Sequence, residues 1–108
     1  MMKTLKLICE VAANVELAES CEQYEKHFHS NHEAYGVLIE EVHELNDEMR
    51  NIARMCSQLM SYIREDDDGS VFMQADEIEK AAINAACESL QVAAMAKKTK
   101  SSIDSKKG

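Results

Sequence analysis

Two short stretches hold the residues whose types and spacing can do chemistry. Ile39–Glu48, read as IEEVHELNDE, places five carboxylates (Glu40, Glu41, Glu44, Asp47 and Glu48) within ten residues. Further along, Glu88-Ser89-Leu90-Gln91 sets a carboxylate and an amide three positions apart. On a helix, residues three apart are neighbours, so Glu41 and Glu44 converge on one point beside the axis, as do Glu88 and Gln91. Like charges at this spacing cost a helix a few tenths of a kcal/mol, a cost that a bound cation turns into a gain. If the two helices lie antiparallel, four oxygen-bearing side chains surround one point. Such a set suits Mg²⁺, or Mn²⁺, both of which take carboxylates, carbonyls and water. Spacing alone does not separate this cradle from a solvated helix edge, because amphipathic helices normally carry charge beside their apolar seam.

The elements that must position these groups are helices. The chain has 108 residues, no proline and three glycines, so little in it breaks a helix or builds a hairpin turn. Its length predicts one domain. A formal charge of −8 argues against a nucleic-acid backbone or an anionic membrane surface as partner. No apolar run approaches the ~18 residues of a membrane span. The start, MMKTLKLICEVAA, imitates a signal peptide, but Glu10 interrupts it and the amphipathic pattern continues, so it reads as helix.

Three helical segments follow from the periodicity. The first covers about Lys3 to Phe28, with Leu5, Ile8, Ala12, Val15 and Ala18 directed inward. Ser30-Asn31-His32-Glu33 then has the form of a capping box. The second helix carries Leu38, Val42, Leu45, Met49, Ile52, Cys56, Leu59 and Ile63, alternating spacings of four and three. A seam of that length packs lengthwise against a partner helix. The acidic run Glu65-Asp66-Asp67-Asp68-Gly69 reads as an exposed turn; it lacks the alternating ligands of a calcium loop. The third helix is expected to begin between Ser70 and Asp76, with Asp76–Glu79 as a second capping box. It turns Ile83, Cys87, Leu90 and Ala94 inward, and its alanines permit close approach. Residues 1–98 form the domain, and 99–108, TKSSIDSKKG, read as a disordered tail. The fold class expected is all-α: three main helices with a long antiparallel helical hairpin, in an oligomeric helical bundle.

The acidic motifs carry a resemblance. Glu40-Glu41-Val42-His43-Glu44 has the form E-E-x-x-E, and Glu88-Ser89-Leu90-Gln91 is followed by Val92-Ala93-Ala94-Met95. From about Phe28 to Lys98 the chain resembles the MazG-like all-α NTP pyrophosphohydrolases, in particular small members from phages and prophages. That family's signature pairs E-E-x-x-E with E-x-x-D. The resemblance implies Mg²⁺-dependent hydrolysis of a nucleoside triphosphate to the monophosphate and pyrophosphate. It implies Glu41, Glu44 and Glu88 as metal ligands, with Glu40 orienting or deprotonating the water. It also implies a carboxylate at position 91, where this chain has Gln91, which offers a carbonyl oxygen but no charge. A homodimer or homotetramer is implied as well. The rival readings are a degenerate MazG-like protein that binds nucleotide or a protein partner, and a plain helical assembly factor.

Other residues invite weaker assignments. Lys97 and Lys98 stand near the expected end of helix three, where they could meet phosphate, although lysines there are ordinarily solvated and favoured by the helix dipole. His32, with Tyr35, fits the mixed polar and aromatic lining of a base pocket. His27, His29 and His32 suggest zinc, but they straddle a helix break and lack a fourth ligand. Cys9, Cys21, Cys56 and Cys87 show no C-x-x-C pairing and read as buried free thiols of a reducing, cytoplasmic setting.

Overall fold

The computed structural model describes residues 2–107, with the Lys107 side chain excepted. The chain is all-α: α1 spans Met2–Gln23, α2 Asn31–Arg64 and α3 Asp68–Lys107, with no strand among the described residues. Among the described residues, no helix is long and apolar enough to cross a membrane.

Each boundary has a local cause. Ser30 is extended (φ −153°, ψ 164°) and its hydroxyl accepts from the Glu33 amide at 3.1 Å, so the first cap forms as its sequence predicts. The reciprocal bond goes to a different donor: Glu33 Oε1 accepts from the His29 amide at 3.4 Å. At the other end of α2, Asp66 adopts a left-handed φ of 57°. Its amide donates to Ile63 O and that of Asp67 to Tyr62 O, both at 3.1 Å, the pairing that closes a helix with a Schellman turn. Asp67 then caps the next helix, accepting from the Ser70 amide at 3.1 Å and the Ser70 hydroxyl at 2.7 Å. The acidic run is therefore a turn, but a shorter one than its composition suggests. α3 starts at Asp68, ahead of the expected window, and Asp76 lies within the helix, paired with Lys80 at 3.0 Å.

α2 and α3 pack on each other, and α1 packs on α3 rather than on α2. Near the turn, Gln74 Nε2 donates to Met55 O and to Gln58 Oε1, both at 3.0 Å. The buried side of α3 is a row of small residues, Ala81, Ala85 and Ala94, continued by Lys98 and Ser102. With little side-chain bulk in between, the neighbouring helices come close.

Three expectations are corrected. Ile83 and Cys87 do not face inward; both are exposed, as are Cys56, Met49 and Ile63 of the α2 seam. A straight helix drifts about 20° per heptad against a strict seven-residue repeat, so one partner helix cannot cover a seam of this length. On α1 the large apolar residues Leu5, Ile8 and Val15 stay exposed, while Ala13 is buried. The 99–108 segment is not a disordered tail: α3 continues through it to Lys107. Ser102 is the reason, because its buried hydroxyl donates to Lys98 O and accepts from the Phe28 amide, both at 2.8 Å. That bond also explains why α1 stops at Gln23 and not at Phe28. Residues 24–30 form a loop that carries Phe28 into the core, where it is 7% exposed.

The molecule measures 63 × 30 × 21 Å and exposes 7995 Å². A compact monomer of this mass exposes roughly 6,000 Å². The excess includes Leu5, Leu7, Ile8, Val11 and Val15 on α1 and Met60, Ile63, Phe72 and Met73 around the α2–α3 turn.

Candidate metal centre and adjoining cavity

Glu41 and Glu44, one turn apart on α2, meet Glu88 on α3. One oxygen from each lies within 4.8 Å of the other two. Two opposed ligands of Mg²⁺ are separated by roughly 4.2 Å, twice a 2.1 Å bond, so small side-chain movements bring all three into range. Glu41 Oε2 and Glu88 Oε2 are buried and have no hydrogen-bond partner. Buried carboxylate oxygens are normally paired, and two unpartnered ones on residues gathered with a third carboxylate fit a hard cation.

The electrostatics agree. Burial raises Glu41 above the ordinary glutamate range, and the charges of Glu44, Glu88, Glu40 and Glu16 add to it. Glu88 is raised first by burial, then by Glu44 as a charge and hydrogen-bonding neighbour, and by Glu48. Each shift reports the cost of gathering negative charge away from water.

Beside the cluster lies an open cavity of about 750 Å³. Glu41 belongs to both. Glu16 and Ser20 of α1, His27 and Phe28 of the loop, Glu40 of α2, and Gln91, Met95 and Lys98 of α3 complete much of the wall. Gln91, one turn beyond Glu88, lines the same cavity as Glu41. Glu40 is exposed at the rim.

Of the residues proposed for substrate, Lys98 is brought to the cavity, whereas Lys97, His32 and Tyr35 are not among its lining. His32 and Tyr35 lie on the first turns of α2 with their side chains exposed. The solvated reading of Lys98 does not hold: it is 4% exposed, with its ammonium 4.8 Å from the centre of the Phe28 ring and 3.4 Å from Ser20 Oγ. Because α3 runs on past it, Lys98 is not at a helix end. The histidines separate. His29 pairs with Glu25, which raises its pKa through a hydrogen bond and then through charge, while His27 lines the cavity with Nδ1 buried and unpartnered. Phe28, Ser20 and Ser102 escaped the sequence reading, for no motif marks them; the aromatic at the helix break was their one available signal.

The arrangement gathers three carboxylates, a donor set that suits a divalent cation, beside a cavity whose largely acidic wall carries one buried lysine. No family model matches the chain, and neither does any curated protein or solved structure.

Proposed function

We propose that the protein is a Mg²⁺-dependent nucleoside triphosphate pyrophosphohydrolase of the MazG-like type, with Mn²⁺ able to replace Mg²⁺. The observation that carries this reading is the meeting of Glu41, Glu44 and Glu88 with two orphaned buried oxygens, beside a cavity large enough for a nucleotide. α2 and α3 act as the arms of an antiparallel hairpin, one arm supplying E-E-x-x-E and the other Glu88 and Gln91.

Glu41, Glu44 and Glu88 would hold the cation, with the Gln91 carbonyl as a neutral fourth donor. A cation held there would supply neutralisation of phosphate charge and activation of water. The chain's own groups do the rest. Glu40, at the rim and free of the cluster, accepts the proton of the attacking water. Lys98, buried and donor-only, holds an oxygen of the substrate. Glu16, Glu19, Glu40 and Glu41 repel a metal-free triphosphate, so the site selects the nucleotide together with its cation. Products are a nucleoside monophosphate and pyrophosphate.

The exposed apolar surface of α1 and of the α2–α3 turn supports a homo-oligomer, dimer or tetramer, in which a second copy covers it. Gln91 favours one alternative: a member that binds nucleotide, or a protein partner, without turnover. Pyrophosphate release from a panel of NTPs and dNTPs, measured for wild type, Glu41→Gln and Gln91→Asp, decides between them. Wild-type release abolished by Glu41→Gln supports the enzyme. Release only in Gln91→Asp supports the degenerate site, and divalent-cation binding by neither form refutes the hydrolase.

A further inference from the structure

Lys98 is an unusual wall for a cavity. It is 4% exposed and makes no salt bridge among the described residues, although several carboxylates line the same space. Its ammonium is held by two weak partners, the Phe28 ring at 4.8 Å and Ser20 Oγ at 3.4 Å. Lysine side chains are long and lose much rotamer freedom when fixed, so something must hold the holder. Phe28 belongs to a loop and cannot be placed by helical hydrogen bonding. Its amide donates to Ser102 Oγ at 2.8 Å, across 74 residues of sequence, and the same hydroxyl donates to Lys98 O. One buried hydroxyl thus ties the loop that carries the ring to the helical turn that carries the lysine.

We infer that Ser102 is a positioning residue whose hydroxyl, through Phe28, fixes the Lys98 ammonium in the cavity. The α3 turns beyond Lys98 are then a brace for the substrate site and not a passive extension. Its consequence for substrate rests on the reading of the cavity as the nucleotide pocket; the brace itself does not.

Ser102→Ala removes the hydroxyl and keeps a good helix former, with Ser105→Ala as a control on the same helix. In wild type, the Lys98 side-chain resonances should be displaced by the Phe28 ring current and the Phe28 amide should exchange slowly. In Ser102→Ala those resonances should move towards the values of solvated lysines and the amide should exchange faster, with both unchanged in Ser105→Ala. For nucleotide, KM should rise on the order of fivefold with kcat and Mn²⁺ affinity unchanged, as expected for one lost positioning bond. The increase should vanish in a Lys98→Met background, because the two residues act as one unit. Unmoved Lys98 resonances in Ser102→Ala, or an equal rise in KM with Lys98 already removed, overturn the inference. If wild type neither binds nor hydrolyses nucleotide, the pyrophosphohydrolase reading fails, and the Lys98 resonances still decide the brace.

Discussion

Glu88→Gln should stabilise the metal-free protein and abolish its stabilisation by Mg²⁺. One oxygen from each of Glu41, Glu44 and Glu88 lies within 4.8 Å of the other two. A pair of unit charges at that separation repels by about 0.9 kcal/mol in bulk water and about 3.5 kcal/mol at an effective dielectric of 20. Glu88 takes part in two such pairs, so neutralising it removes about 2 kcal/mol at the water limit, with salt reducing the figure. Glutamine keeps the size of the side chain, so no cavity opens. For a domain near this size each kcal/mol moves Tm by about 4–8 °C, so a rise of about 8–16 °C in the metal-free state is expected at low salt. Mg²⁺ reverses the order. A cation at ten times its Kd stabilises the wild type by about 1.4 kcal/mol and should leave Glu88→Gln almost unmoved. Thermal unfolding followed by circular dichroism, with EDTA and with a Mg²⁺ titration, reads both effects. A mutant less stable in EDTA would show that Glu88 is not under charge repulsion, and equal Mg²⁺ responses in the two proteins would show that it does not hold the cation.

Three further outcomes follow from the same structure. Glu41 and Glu88 are held above the ordinary value of 4.5, so the folded state retains protons that the unfolded chain has released. Their stabilisation is therefore present below that value and lost as pH rises through the raised folded pKa. Metal-free wild type should lose stability over that window relative to the Glu41→Gln/Glu88→Gln double variant, and pH-dependent denaturant melts check it. Gln91→Asp adds a charge to the cavity that Glu41 also lines and should tighten Mn²⁺ by about tenfold or more while lowering metal-free stability, as titration calorimetry and melting would show. Asp66 holds a φ of 57°, which glycine adopts without strain. Asp66→Gly should raise unfolding stability by about 0.5–1 kcal/mol in a urea titration, with no change in metal binding.

Much of the fold was legible because its signals are local. The Ser30 cap needs only residues within one turn, and the α2 periodicity needs only its own helix. The acidic triad was legible for the same reason: i,i+3 spacing on α2 fixes Glu41 and Glu44 together, and one matching motif on α3 supplies Glu88. What was illegible depends on distant partners. Ser102 looks like a tail residue until the Phe28 amide reaches it, and small size is what lets it be buried. Lys98 reads as solvated because lysine usually is; its burial depends on a loop at the far end of α1. Ile83 and Cys87 have helical spacing, yet the alanines at 81 and 85 take the interface, since close packing favours the smaller side chain over the more apolar one. The α1 face was misread for a different reason: the helix packs by the side that carries Ala13 and leaves the stripe of Leu5, Ile8 and Val15 exposed.

The claim on which the rest depends is that Glu41, Glu44 and Glu88 together bind a divalent cation. Electron paramagnetic resonance of Mn²⁺ titrated into the protein measures it directly, since bound Mn²⁺ loses the sharp six-line signal of the free ion. Saturable loss of that signal, reversed by excess Mg²⁺ and absent in Glu41→Gln, is the result expected. An undiminished free-ion signal in wild type, with and without nucleoside triphosphate, would show that the three carboxylates do not bind the cation.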